Sequence, residues 1–184
     1  MSVKNLGPGG GSRATWATDG RSFYVYGSSA SETRVDLVEW PSLNARILLA
    51  YRPPDQYGLR YPLVAEDSGD LICFVAPSDQ HRGGEVEVRR VRRVGSEFKA
   101  ERTKLSLNEV PWSAAISPDG RSLAIVRRDG KLIVCDLQTG AKRAVTGFEA
   151  DRNATVGLEW ALGGQAILVA EKSKVWLIPV DRQK

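Results

Sequence analysis

At 184 residues, with 42% hydrophobic and 26% charged side chains, the chain has the composition of one folded domain with a real core and no room for a second. Its formal net charge of +4 favours solubility and is far from that of a protein that coats nucleic acid. No run approaches the ~18 apolar residues of a membrane helix, and the amino terminus lacks the apolar stretch of a signal peptide. The expected setting is therefore soluble and cytoplasmic, with no nucleic acid and no membrane as partner.

Residues 1–12 form an amino-terminal segment that ends in Gly7-Pro8-Gly9-Gly10-Gly11-Ser12. This glycine run lacks the Gly-Lys-Ser/Thr ending of a phosphate loop and reads as a flexible linker. Beyond it one phrase is written twice, Asp19-Gly20-Arg21-Ser22 and Asp119-Gly120-Arg121-Ser122. Weaker copies stand at Asp67-Ser68-Gly69-Asp70 and Leu162-Gly163-Gly164-Gln165. Each copy precedes an apolar strand-like run, and the interval of roughly 40 to 50 residues between copies is that of β-propeller blades.

In chain order, the first unit predicts strands at 13–17, 23–26, 33–39 and 46–50, and the second at 62–65, 71–75, 85–91 and 97–102. The third predicts 112–117, 122–126, 131–137 and 142–145, with Asp119-Gly120 as a tight turn because glycine accepts positive φ without a Cβ clash. The fourth predicts 156–161, 166–170 and 174–180, after which only Asp181-Arg182-Gln183-Lys184 remain, too polar for a fourth strand. Loops 51–61 and 147–153 are the ones long enough to hold a helical turn.

The second strands are almost continuously apolar, so both of their faces must be covered, as stacked blades would do. The fold class is thus all-β: a β-propeller of about four four-stranded antiparallel blades, at about 13–51, 61–104, 111–146 and 154–181. An open edge needs cover. Ser2-Val3-Lys4-Asn5-Leu6 is the candidate within the chain, closing the ring by pairing with 174–180. The alternatives are a partial propeller covered by a second copy or another chain, or one lacking further blades.

The string Ile116-Ser117-Pro118-Asp119-Gly120-Arg121-Ser122-Leu123-Ala124, followed by Asp129-Gly130-Lys131-Leu132-Ile133-Val134-Cys135-Asp136-Leu137-Gln138-Thr139-Gly140, resembles the WD-like repeat of TolB-like β-propellers. The resemblance implies a platform for protein partners, or a propeller that precedes a catalytic domain in relatives of prolyl oligopeptidase. The chain departs from that family in having four units, against roughly six to eight, and Cys135-Asp136 where true WD repeats have Trp-Asp.

Catalytic and metal chemistry find little footing. The one histidine, His81, lies in a glycine-flanked loop beside Asp79 and Arg82, which is poor preorganisation for a general base. No Gly-x-Ser-x-Gly elbow is present. Cys73 and Cys135 sit in apolar strands and read as buried free thiols, with no metal-ligand spacing. Glu66-Asp67-Ser68-Gly69-Asp70 reads as a polar turn before a calcium site. The run Arg89-Arg90-Val91-Arg92-Arg93 splits between two strand faces and reads as a solvated outer strand. No enzyme activity and no cofactor are expected.

In a meander the loops between second and third strands emerge on the same end as the loops between blades. That end would gather Arg52, Arg60, His81, Arg82, Arg127, Arg128, Arg152, Lys172 and Lys174, diluted by Asp55, Asp79, Asp129, Asp151 and Glu171, with Tyr57, Tyr61 and Trp112 as amphipathic anchors. The expectation is a non-enzymatic scaffold that binds a protein partner through this loop-bearing end, as a monomer or an edge-to-edge homodimer. The alternatives are an enzyme-associated propeller that gates substrate or binds a small ligand, and a half-propeller that assembles as a dimer.

Overall fold

The computed structural model describes residues 13–17, 19–29, 32–52, 57–65, 70–77, 85–94, 97–151 and 155–180. Among them the strands form four antiparallel sheets, each a meander in chain order. The first holds β1 (Arg13–Trp16), β2 (Ser22–Ser28), β3 (Thr33–Glu39) and β4 (Ala45–Tyr51); the second holds β5 (Tyr57–Ala65), β6 (Leu71–Pro77), β7 (Val86–Val94) and β8 (Glu97–Leu107). The third holds β9 (Ser113–Ile116), β10 (Ser122–Val126), β11 (Lys131–Asp136) and β12 (Lys142–Glu149), and the fourth β13 (Val156–Ala161), β14 (Ala166–Glu171) and β15 (Lys174–Pro179). This is the all-β propeller arrangement that the repeats imply. No helix of the described residues is long and apolar enough to cross a membrane.

The repeated phrase is a turn. Gly120 takes φ +67°, and its N–H donates to the Ser117 carbonyl at 2.8 Å. Asp119 Oδ1 accepts from the Ser117 hydroxyl at 2.6 Å and from the Arg121 N–H at 3.1 Å, so the side chain completes what the backbone begins. The chain reverses here, with Ile116 opposite Leu123. Asp19 and Gly20 do the same between β1 and β2, which sets Trp16 opposite Phe23.

The sheets stack through apolar side chains. Tyr24, Tyr26 and Val35 of the first meet Leu71, Cys73, Val75 and Val91 of the second. The second turns its other face, with Ile72, Phe74, Val88 and Leu105, to Leu123, Ile125, Cys135 and Leu137 of the third. Ala124, Val126 and Leu132 of the third meet Val156, Ile167 and Val169 of the fourth. Strand alternation sends odd and even residues to opposite neighbours, which explains why Leu71 through Ala76 are buried without interruption. Full burial of Phe74 alone contributes about 2–3 kcal/mol.

Several expectations change. The loop at 51–61 holds no helical turn where it is described; β5 begins at Tyr57, and its register shifts between Arg60 and Val64. Likewise β12 runs on through Gly147 to Glu149 where a loop was expected, and β8 reaches Leu107. The only helical element described is a 3-10 turn at Leu162–Gly164. The arginine run is solvated at Arg92, as expected, but not at Arg89 and Arg90. Arg89 binds Glu87 at 2.6 Å with its guanidinium over the Tyr51 ring of the first sheet, while Arg90 donates to the Gly120 carbonyl of the third. These two half-buried arginines tie the second sheet to both neighbours. The segment 2–6 expected to close the ring, and residues 181–184, lie outside the described residues.

Candidate functional site

Meander topology puts the connections β2–β3, β6–β7, β10–β11 and β14–β15 at the same end of the molecule as the connections between sheets. On this end the structure places one charge cluster after another. In the first sheet Arg52, exposed just beyond β4, pairs with Glu32 of the β2–β3 connection. Arg34 reaches the same Glu32 at 3.4 Å. The arginine contact holds the Glu32 carboxyl below its ordinary range. In the third sheet Arg127 Nε lies 3.0 Å from Glu109, and its Nη2 lies 3.4 Å from Asp129. The hydrogen bond to Glu109 is the main reason that its guanidinium holds its proton more tightly than usual. In the fourth sheet Lys172, at φ +50° in the β14–β15 turn, pairs with Asp151, and that hydrogen bond raises the ammonium pKa.

Of the expected cations, Arg52, Arg127, Arg128 and Lys172 are thus on this end, among acids that offset them. Arg52, Arg127 and Lys172 each sit on their own blade and are joined to an acid rather than to one another. Arg128 is exposed beside Arg127. Glu32 and Glu109, which complete two of the clusters, escape a reading that searches for cations; their signal is their place in connections that share an end. Trp112 is not an exposed anchor. It is half-buried against the core between the third and fourth sheets, and its backbone N–H donates to the Val126 carbonyl at 2.8 Å. Arg60 stands within β5, opposite Phe74, rather than in a loop, and Tyr57 begins that strand opposite Pro77. His81, Arg82 and Arg152 lie outside the described residues.

The opposite end carries a feature without a motif. A cleft of about 580 Å³ opens between the third and fourth sheets, lined by Ser117, Asp119, Arg121, Asp136, Arg143 and Trp160 among others. Its acids are occupied in turn-making. Asp136 Oδ1 accepts the N–H groups of Thr139 at 2.7 Å and Gln138 at 2.8 Å, and this holds its carboxyl below the ordinary range. The Trp160 indole N–H is likewise spent on the Ala115 carbonyl at 3.0 Å. The lining thus sets the Trp160 ring beside the guanidinium groups of Arg121 and Arg143, a combination suited to polar or anionic groups.

Among the described residues no group of three or more histidine, cysteine or carboxylate side chains is arranged to hold a metal ion. Asp70, the described member of the acidic turn 66–70, pairs with Arg92 at 3.0 Å. Both cysteines are free and buried, in different interfaces between sheets. Burial pushes each thiol up to about 12.

No protein-family model matches the chain, and no curated protein does. Solved structures do. The oligogalacturonate lyase of Vibrio parahaemolyticus matches at TM-score 0.62 and 12% identity, over 95% of this chain and 52% of that one. The β-propeller domain of Cps50 (Swd1) from Myceliophteria thermophila matches at 0.59 and 11%, over 91% and 50%. KlAtg21, in its complex with the coiled coil of AgAtg16, matches at 0.58 and 12%, over 93% and 54%. The chain thus spans about half the length of these proteins. At such identities the likeness is one of fold, and that fold is the β-propeller.

Proposed function

We propose that this chain is a non-enzymatic propeller module that docks a protein partner on its loop-bearing end. The observation that carries the reading is the placing of an ion-pair cluster on that end of each of three blades, Arg52 with Glu32, Arg127 with Glu109 and Lys172 with Asp151. Exposed pairs of this kind are screened by water and contribute little to folding, so they add little to the scaffold. They do fix the direction of long side chains and set positive and negative points on a rigid frame, which favours a partner of matching pattern and speeds its encounter. A similar structure, KlAtg21, holds the coiled coil of another protein, which is compatible with such a role.

The test is comparative. The chain and its Arg52→Glu, Arg127→Glu, Arg128→Glu triple variant are immobilised, and captured proteins are quantified at low and at moderate salt. The variant is expected to lose at least about tenfold of the salt-sensitive capture, by the scale of charge reversal at an interface. Equal capture by both would remove this end from the function.

The cleft at the other end favours a second reading, a pocket for a small polar ligand in a propeller associated with an enzyme. Its size, about 580 Å³, suits a drug-sized molecule. Saturable binding of an acidic sugar that Arg143→Ala abolishes, beside unchanged capture by the triple variant, would favour it.

A further inference from the structure

Each sheet in the stack uses one face to meet the sheet before it and the other to meet the sheet after it. Two faces are left over. On the first sheet it is the face opposite Tyr24 and Tyr26, and strand register assigns its rows: Trp16–Phe23–Val38–Ala45, and Ala14–Val25–Asp36–Ile47. On the fourth it is the face opposite Ile167 and Val169, with rows Ala161–Ala166–Pro179, Glu159–Leu168–Leu177 and Gly157–Ala170–Val175. A sheet that ends in water alternates apolar with polar residues. Here the rows are apolar but for Asp36 and Glu159; on the first sheet Val25, Asp36 and Val38 in the middle of the face are already buried, and the apolar surface left open is its rim, Trp16, Ala45 and Ile47.

Exposure is concentrated on them. Trp16 is 60% exposed, Trp40 56%, Ile47 50%, Val175 66% and Leu177 54%, and Leu162, at 65%, borders the fourth sheet. Of the exposed large apolar side chains among the described residues, only Val94 is elsewhere. Among those residues no apolar cluster joins the first sheet to the fourth. The first sheet also has an apolar cleft of about 350 Å³ lined by Ala14, Trp16, Phe23 and Trp40, and the fourth presents aliphatic side chains of a size to enter it.

We propose that the occupant is a second copy of this chain, and that two copies close into one eight-sheet ring. The two leftover faces are of complementary kind. Among the described residues no sheet packs on the outer face of the first or of the fourth, and a second copy supplies a sheet to both. The fourth sheet of each copy then packs on the first sheet of the other through two identical head-to-tail joints about a two-fold axis. Each joint is limited by the fourth sheet, three strands of six residues, or ~280 Å² of flat area at ~3.3 Å per residue and ~4.8 Å per strand. Two joints give ~560 Å² per copy before side-chain relief is counted, which approaches the ~800 Å² per partner of a stable interface. This inference rests on the terminal faces and is independent of the loop-bearing end.

Light scattering after gel filtration tests it. The chain is expected at twice its 20.1 kDa mass down to micromolar concentration. Trp16→Glu and Leu177→Lys alter exposed positions, so each is expected to keep its circular dichroism and to run at the single-chain mass. Each places a charge in both joints of a homodimer and should weaken association by about a hundredfold or more. An equimolar mixture of the two is expected to recover the double mass, because one joint is then native and the other sets Glu against Lys. Four results overturn the proposal: a wild-type monomer, growth beyond two copies, variants that stay dimeric, or a mixture that stays monomeric. The wild-type mass decides on its own if a variant does not fold.

Discussion

Two Asp-Gly turns that look alike in sequence are expected to answer the same substitution differently. Gly20 has φ +63° and nothing within 4 Å of where a Cβ would stand. Gly130, between β10 and β11, has φ +87°, and a Cβ there would press into the carbonyl oxygen of Ala150 and lie 3.3 Å from Glu149 Cγ. The same approach lets the Ala150 N–H donate to the Gly130 carbonyl at 2.9 Å, which fixes the connection leading to the fourth sheet. Alanine at either site takes on the left-handed penalty of ~1–2 kcal/mol, reduced by ~0.5 kcal/mol through a less flexible unfolded chain. Gly20→Ala therefore costs about 1 kcal/mol. Gly130→Ala adds ~1–3 kcal/mol for overpacking against backbone that cannot rotate away, for a total of about 3 kcal/mol. At ~2–4 °C per kcal/mol for a chain of this size, Tm should fall by about 3 °C for Gly20→Ala and about 10 °C for Gly130→Ala, read by circular dichroism. Equal shifts would refute the close approach at Ala150, and with it the positioning of Arg127 and Asp129 by that turn.

The remaining expectations concern thiols and acid. With burial raising Cys73 and Cys135 to about 12, neither should react with a thiol reagent at neutral pH in the native state, and both should react after unfolding in denaturant; labelling of either at the rate of free cysteine would contradict its burial. Asp19 and Asp136 have folded carboxyl pKa values below the ordinary 3.8, chiefly because the N–H groups of Arg21 and Thr139 donate to them. A depressed carboxyl stabilises the fold above its unfolded pKa and loses that contribution as pH falls through its folded value. Denaturant melts should thus show stability declining below about pH 4, with a shallower decline in the Asp19→Ala, Asp136→Ala double variant. Both groups are largely exposed, so the pair should account for less than about 1 kcal/mol. An unchanged slope would mean that other carboxyls set the acid limit.

The sequence discloses its repeat and its turns because those are local events. Asp19-Gly20 and Asp119-Gly120 need only adjacent residues to close, and their spacing yields the stacked sheets. Strand ends are less legible where the ladder is irregular. Arg60 pairs with Phe74 and Val64 with Ile72, so four residues of β5 span two of β6, and Pro62 falls in the surplus where a missing N–H is tolerated. A reading that treats Pro62 as a boundary begins the strand too late. Gly147, at φ +82°, has the same effect on β12, whose register shifts between Lys131 and Ile133. The ion pairs of the loop-bearing end are illegible for another reason. Arg52 and Glu32 are brought together by the full width of a hairpin, and Lys172 meets Asp151 across the fourth sheet. Cations can be counted in sequence, but their neutralisation depends on which loops share an end.

The apolar runs carry a further lesson when their composition is set against their exposure. β6 and β14 are both apolar on both faces, and from composition they are equivalent. In β6 every residue from Leu71 to Ala76 is buried, whereas in β14 Ile167 and Val169 are buried while Leu168 is half-covered and Ala170 exposed. The difference is not one of residue type; it is one of neighbours. An array of identical blades buries each sheet only between two others, so any open array leaves exactly two uncovered faces, and neither can become polar without also losing its fitness to close a ring. That the first and fourth sheets keep Trp16, Phe23, Leu168 and Leu177 on those faces argues that they are made to meet another sheet. Such a closure would leave the loop-bearing end clear and set its charge pattern twice around one rim, so the association surface and the partner surface make no competing demands on the same residues.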